Sequence, residues 1–195
     1  MTGDSRERMV RSAASLIRSR GVSATSFSDV LADSGAPRGS IYHHFPEGKK
    51  QLAADAIRWT SDRLLAHLRA RPAVNATEVL ERFIDMWRQV VLASGGSAGC
   101  VVAGVAIDTI SGDEGGQIDV VRATFRAWVD LLAEQLEAAG LPSQRAAPIA
   151  MATMAGMEGA LILCRAEGNS KPLETVAAEL IRLLPPETAR KGIAR

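Results

Sequence analysis

The stretch that decides the fold is residues 25–52, TSFSDVLADSGAPRGSIYHHFPEGKKQL. Its pattern predicts two short helices around a glycine turn, followed by the basic start of a third helix. The hydroxyl of Ser26 can cap the first helix, whose apolar residues Phe27, Val30 and Leu31 share one side. Gly35 supplies the turn. This order of elements predicts a helix-turn-helix.

The second short helix has an apolar inner side and a polar outer side. Pro37 has its backbone angle already set for a first helical turn, which a phosphate could approach closely. Ile41 and Phe45, four residues apart, are expected to be buried. The outer side can then reach the phosphates and base edges of double-stranded DNA. We therefore predict a recognition helix, with DNA contacts from Thr25, Ser26, Pro37, Arg38, Gly39, Ser40, Tyr42, His43, His44, Lys49 and Lys50.

The same stretch resembles the DNA-binding segment of the TetR family of bacterial transcriptional regulators, in its LmrA/YxaF-like branch. The likeness rests on Gly35, Ser40, Ile41, Tyr42, His44, Phe45, Lys49 and Leu52. A looser likeness in GCVVAGVAID (99–108) and MEGALILCRAE (157–167) extends it over nearly the whole chain. Pro37 is a departure, because the family often has a Ser or Thr cap there. The resemblance implies a ligand-sensing domain behind the DNA-binding segment.

Composition is that of a globular protein, with 195 residues of which 47% are hydrophobic. Residues 1–50 hold eight Lys/Arg against five Asp/Glu, while the rest hold fifteen against seventeen, so positive charge lies with the DNA-binding segment. The only two cysteines, Cys100 and Cys164, lie among apolar residues, and no signal peptide precedes the first helix. No apolar run approaches the roughly 20 residues that span a bilayer. We expect a cytoplasmic protein without membrane contact.

The remaining periodicity predicts an all-α fold of about nine helices. The chain divides into an N-terminal three-helix helix-turn-helix DNA-binding domain, residues 1–47, and a C-terminal helical domain for ligand binding and dimerisation, residues 48–195. Outside the helix-turn-helix, helices are expected over about 4–20, 49–69, 101–110, 117–139, 148–167 and 172–184, and one more between the capping box of Asn75 with Glu78 and the segment SGGSAG. The segments SGGSAG and GDEGG are expected loops, and ETARKGIAR a solvated tail.

No catalytic, metal or cofactor site is expected. His43 and His44 are helix neighbours that point about 100° apart, with no further metal ligand at suitable spacing. Neither glycine-rich loop is followed by the Lys-Ser/Thr of a phosphate-binding loop. No nucleophile elbow or paired carboxylates indicate an enzyme.

A ligand pocket is the expected feature of the C-terminal domain, because Trp and Met line adaptable pockets for hydrophobic molecules as well as ordinary cores. The candidates are Phe83, Met86, Trp87, Asp108, Phe125, Trp128, Met154 and Glu158. Each of the two acids among them can have a protein partner, face solvent or touch a ligand. Because the domain supplies aromatic and Met residues but few basic groups, we expect a hydrophobic, ring-containing effector in preference to an anionic one.

The last two helices carry more apolar surface than one side of a helix needs. By resemblance they would form a four-helix interface between two copies, with Gly156, Ala160, Leu163, Val176, Leu180 and Leu183 in the contact. An entirely internal core is the alternative.

These features predict a homodimeric, ligand-responsive transcriptional regulator. We expect a repressor that a hydrophobic small molecule releases from a palindromic operator. Two other interpretations stay open from the sequence: a helical enzyme or carrier with a vestigial DNA-binding segment, and an activator with the same fold.

Overall fold

A computed structural model of the chain describes residues 2–70, 72, 73, 75–109 and 116–185. Over these residues the fold is all-helical, as the sequence predicts. Its nine helices are α1 (Thr2–Arg20), α2 (Phe27–Ser34), α3 (Ser40–His44), α4 (Lys49–Arg69), α5 (Ala76–Ser94), α6 (Val101–Asp108), α7 (Gln117–Ala138), α8 (Ser143–Glu167) and α9 (Lys171–Arg182).

Helix α2 begins and ends where local chemistry dictates. The Ser26 hydroxyl accepts a hydrogen bond from the Asp29 amide at 3.2 Å, and the Asp29 carboxylate accepts one from the Ser26 amide at 2.8 Å. This reciprocal pair satisfies amides that the first helical turn leaves without partners. The hydrogen bonds from Ser26 also hold the pKa of Asp29 below its usual value. Gly35 ends the helix in the left-handed conformation, with φ of 63°.

Helix α3 is shorter than predicted, because residues Pro37–Gly39 form a turn before the helix and do not belong to it. The Pro37 carbonyl accepts hydrogen bonds from the amide of Ser40 at 3.0 Å and from its hydroxyl at 2.7 Å, which closes the turn before the helix begins. The inner side is as predicted, since Ile41 and Phe45 are fully buried. Five residues thus suffice to place a rigid helical turn over the core.

Helix α1 packs against α2, α3, α4 and α6, so it contacts both parts of the fold. Its inner face is made by Met9, Ala13 and Ile17, all buried. Helix α4 joins the helix-turn-helix to the remaining helices. It is tied to α7 by the Trp128 indole, which donates to the Ser61 hydroxyl at 3.0 Å.

Helix α8 begins five residues before the predicted start at Pro148. Proline is common in the first turn of a helix and rare beyond it. In the structure Pro142 precedes the helix and Pro148 lies in its second turn, where it cannot donate to the Gln144 carbonyl. Residues 110–115, which include most of the GDEGG loop, and the ETARKGIAR tail lie outside the described residues.

Length and composition alone would let α8 cross a membrane, contrary to our expectation of no such run. The interrupting charges Glu158 and Arg165 do not break the helix. However, 44% of its most apolar stretch is buried, and it packs against α5, α7 and α9. Its buried residues make it a core helix of this fold.

Truncating the ring beneath α3 tests the importance of this buried support. We expect Phe45→Ala to lower the free energy of unfolding by about 3–5 kcal/mol, because it leaves a cavity in the core. Tyr42→Ala removes an aromatic ring that is 71% exposed and should cost only about 1 kcal/mol. Urea unfolding at one fixed protein concentration measures both. Equal losses would show that Phe45 does not support the helix.

Candidate functional site

The outer face of α3 is the most exposed aromatic surface of the helix-turn-helix. Tyr42 is 71% exposed, and Arg38 and His43 are exposed beside it. The Tyr42 ring meets the edge of Phe27 on α2, with ring centroids 5.6 Å apart. These side chains are therefore accessible to another macromolecule, while the buried Ile41 and Phe45 hold the backbone of α3 in place.

The surrounding predicted residues fall into two groups. Pro37, Gly39 and Lys50 are exposed, and Ser40 and His44 are half-buried. The ammonium group of Lys49 donates to the Ser23 carbonyl at 3.2 Å. Lys49 therefore holds the loop between α1 and α2.

Thr25 requires a correction. Its side chain is buried, and its hydroxyl donates to the Gly21 carbonyl at 2.7 Å. The hydroxyl therefore stabilises the turn between α1 and α2 and is not available to a phosphate. Ser26, next to it, is exposed but already caps α2.

Two hydrogen bonds fasten the end of α1, and the turn that follows it, to the segment before α6 and to the last residue of α6. The Gly99 amide donates to the Arg18 carbonyl at 2.9 Å. The Asp108 carboxylate accepts from the Ser23 amide at 2.9 Å. Asp108, a predicted ligand-binding residue, thus lies at the junction between the two parts of the fold.

A cavity of about 440 Å³ lies beside this junction. Its walls come from α1, α4, α5, α6 and α7, and three of the predicted ligand-binding residues, Met86, Trp87 and Trp128, line it. Trp59 lines it too, so all three tryptophans of the chain surround one space. Its volume is within the usual range for a small-molecule site.

The other predicted ligand-binding residues lie elsewhere. Phe125, Met154 and Glu158 line a separate, apolar groove of about 420 Å³ between α7 and α8. Phe83 is fully buried and packs edge-on against the Trp87 ring, with centroids 6.2 Å apart. It supports the wall of the main cavity from behind.

The sequence also missed several residues of the main cavity. Its lining includes Arg18 from α1, Cys100 at the start of α6, and Thr60, Arg63 and His67 from α4. Trp59, Arg63 and His67 follow one another at intervals of four, so this face of α4 could have been found from helical periodicity. Nothing local in the sequence connects Arg18 to it.

Glu158 is a largely buried acid on α8. One of its carboxylate oxygens has no hydrogen-bond partner among the described residues. Burial raises its pKa to about 7, although the neighbouring Cys100 thiol lowers the value somewhat. The pKa of Cys100 is raised in turn, by burial and then by the charge of Glu158.

The residues predicted for dimer contacts divide by exposure. Leu163 and Leu183 are about half exposed, and Val176 is half-buried. The prediction of dimer contacts is wrong for Gly156, Ala160 and Leu180, because these residues pack against other parts of the same chain. Ala160 and Leu180 are buried, and a Cβ atom on Gly156 would lie 3.1 Å from Val176 of α9.

The capped α2, the left-handed Gly35 and the exposed α3 over its buried base define a helix-turn-helix DNA-binding protein. Family models agree with this class. Residues 10–56 match the model "Bacterial regulatory proteins, tetR family". Residues 76–179 match "Transcriptional regulator LmrA/YxaF-like, C-terminal domain".

Whole-chain relatives have the same description. An HTH-type transcriptional regulator of Mycobacterium tuberculosis is 40% identical over 96% of this chain and 97% of its own length. The HTH-type transcriptional regulator LmrA of Bacillus subtilis is 26% identical over 93% of this chain and 97% of its own length. A TetR transcriptional regulator from Legionella pneumophila has a solved structure that superposes with a TM-score of 0.82, at 25% identity, over 92% of this chain and 96% of that one.

The chain belongs to the TetR family of bacterial transcriptional regulators, in the LmrA/YxaF-like branch. It is thus a DNA-binding transcriptional regulator and not an enzyme, as the sequence predicted.

The raised pKa of Glu158 makes a testable prediction. The folded chain holds this proton more tightly than the unfolded chain does, so stability is lost as pH rises from about 4.5 to about 7. Between about pH 5 and pH 8, wild-type protein should lose about 2 kcal/mol of unfolding free energy relative to Glu158→Gln.

Urea unfolding across this pH range measures the difference. Glu167→Gln, at an exposed position on the same helix, is the control and should follow wild type at every pH. Parallel pH profiles for wild type and Glu158→Gln would contradict the raised pKa.

Proposed function

We propose that this regulator is a homodimeric, ligand-responsive repressor in the cytoplasm. Residues 1–47 bind one half of a palindromic operator, and residues 48–195 hold the dimer contacts and a cavity for a hydrophobic small molecule. The observation that carries the proposal is the position of the cavity, since its lining combines Arg18 of the DNA-binding α1 with Trp87 and Trp128 of the C-terminal helices.

The DNA contacts follow from the exposed face of α3. Arg38 and His43 are exposed, and in this proposal they contact base edges in the major groove, where guanidinium groups pair with guanine. Tyr42 and Lys50 flank them as phosphate contacts, which fix the register of the helix on the duplex.

Ligand response follows from the attachment of α1 to α6. A molecule that binds one arrangement of the cavity more tightly shifts the chain towards that arrangement. Because Gly99 and Asp108 hold the end of α1, a shift of α6 moves the helix-turn-helix. The distance between the two recognition helices of a dimer then no longer matches the operator.

The dimer contact lies on the outer side of α8. Its exposed small and apolar residues follow a helical stripe at intervals of four, four and three: Met151, Ala155, Gly159 and Ile162. Beyond the Cβ position of Gly159 the structure has open space, which permits close approach of a second helix. Leu163 borders the stripe. Such a patch on a soluble regulator fits a second copy of the chain.

DNA binding tests the proposed operator contacts. We expect the protein to bind a near-palindromic duplex from its own upstream region far more tightly than a scrambled duplex, with affinity falling steeply as salt rises. Arg38→Ala should weaken binding and also relax the preference at one base position by about 1–3 kcal/mol, whereas Tyr42→Phe should weaken binding to all sequences equally. Fluorescence anisotropy with a set of single-base variants measures both. Equal affinity for both duplexes at every salt concentration would defeat the operator proposal.

A charge on the outer side of α8 tests the dimer. We expect Leu163→Arg to give monomers, because each copy would bury a guanidinium group against its symmetry mate. Ile107→Arg places the same charge on an apolar residue of α6 that is 75% exposed, and should leave the dimer intact. Sedimentation equilibrium distinguishes the two. An unchanged dimer with Leu163→Arg would move the interface to another surface.

A further inference from the structure

Three buried polar atoms without a hydrogen-bond partner belong to residues that line the main cavity. They are Arg18 Nε, Thr60 Oγ1 and Trp87 Nε1, on α1, α4 and α5. Buried polar groups in folded proteins nearly always have partners, so unsatisfied ones deserve an explanation. All three atoms are covered by neighbouring protein atoms in this arrangement. A small rotation of their side chains towards the space would let a molecule in it supply the missing partners.

The chemistry of these atoms limits what that molecule can be. An arginine Nε and an indole nitrogen can only donate hydrogen bonds, and a hydroxyl can donate as well. The ligand must therefore present acceptors. The described residues that line the cavity include no Asp or Glu, but they include Arg18, Arg63 and His67. Neither arginine has a carboxylate partner in the described chain, and burial lowers the pKa of Arg18. A negative charge on the ligand would offset that effect of burial.

The walls specify the rest of the ligand. Trp59 and Met86 offer flat, polarisable surface, and the buried rings of Trp87 and Trp128 pack behind it. Aromatic rings stack well against such walls, and a volume of about 440 Å³ admits two or three fused rings.

We infer that the effector is an aromatic carboxylic acid whose carboxylate is bound by Arg18, Thr60 and Trp87. This inference rests on the proposed ligand response and revises the expectation of a purely hydrophobic effector. Two basic residues of the cavity, Arg63 and His67, lie on α4 of the C-terminal domain, and Arg18 enters the wall from the helix-turn-helix side. A ligand held in this way contacts the DNA-binding domain directly.

Matched acids and amides test the inference. Benzoate, 2-naphthoate, biphenyl-4-carboxylate and anthracene-9-carboxylate are each compared with the corresponding primary amide by isothermal titration calorimetry on the full chain. We expect at least one acid to bind at least tenfold more tightly than its amide. If no acid binds, or if the amides bind as tightly as the acids, the inference is wrong.

Variants assign the contacts. Arg18→Met keeps an unbranched side chain without charge, and should reduce the acid's affinity at least tenfold while leaving the amide unchanged. Arg11→Met, at an exposed position on the same helix, should leave both unchanged. Thr60→Val keeps the side-chain shape and should reduce acid affinity severalfold, so it carries the test if Arg18→Met does not fold. Full acid binding by folded Arg18→Met, or by Thr60→Val in its place, would overturn the assignment.

Operator release separates this inference from the function on which it rests. Acids that bind through Arg18 but leave the operator bound would contradict the proposed ligand response and support the carboxylate site. Release of the operator by the amides alone would contradict the carboxylate site and support the ligand response.

Discussion

The hydrogen bond from the Gly99 amide to the Arg18 carbonyl, at 2.9 Å, joins the helix-turn-helix to the rest of the molecule. A backbone contact of this kind fixes the direction of α1 as well as its position. It also sets where the Arg18 side chain can go, and so places a guanidinium group from the DNA-binding domain in the wall of the main cavity. This bond therefore lies between the helix-turn-helix and the cavity that a small molecule can reach.

The junction also depends on a residue without a side chain at position 21. Gly21 has φ of 83°, a conformation that L-residues rarely adopt. A Cβ atom there would lie 3.0 Å from the Asp108 carboxylate, which needs its place to accept from the Ser23 amide. Any other residue would strain the turn and displace the acid. Gly21 is thus required for the close approach between the two parts of the fold.

Local chemistry explains how much of this structure the sequence could predict. Ser26 with Asp29, Gly35 and the pair Ile41 and Phe45 act over three or four residues, so their pattern fixed α2, its end and the inner side of α3. The lining of the cavity depends on how α1, α4, α5, α6 and α7 pack, which no short pattern encodes. Arg18 follows the buried Ile17 on α1 and resembles any surface arginine in sequence. The prediction that Gly156 and Ala160 lie in the dimer contact is wrong for a related reason. Small residues allow close packing inside a chain as readily as between chains.

Unsatisfied donors at a domain junction have a consequence for switching. Each buried polar group without a partner costs about 1–3 kcal/mol, so the ligand-free arrangement around Arg18, Thr60 and Trp87 is less stable than its apolar packing alone would make it. A ligand can shift an equilibrium only by its difference in affinity for the two states. A full reversal of the populations needs a difference of about 5.5 kcal/mol. A ligand that pairs several of these donors in one state only can produce a difference in affinity of that size. Apolar walls that bind a ring equally well in both states produce no such difference. Specific polar contacts at the junction, more than the volume of the cavity, therefore determine how strongly a ligand can act on DNA binding.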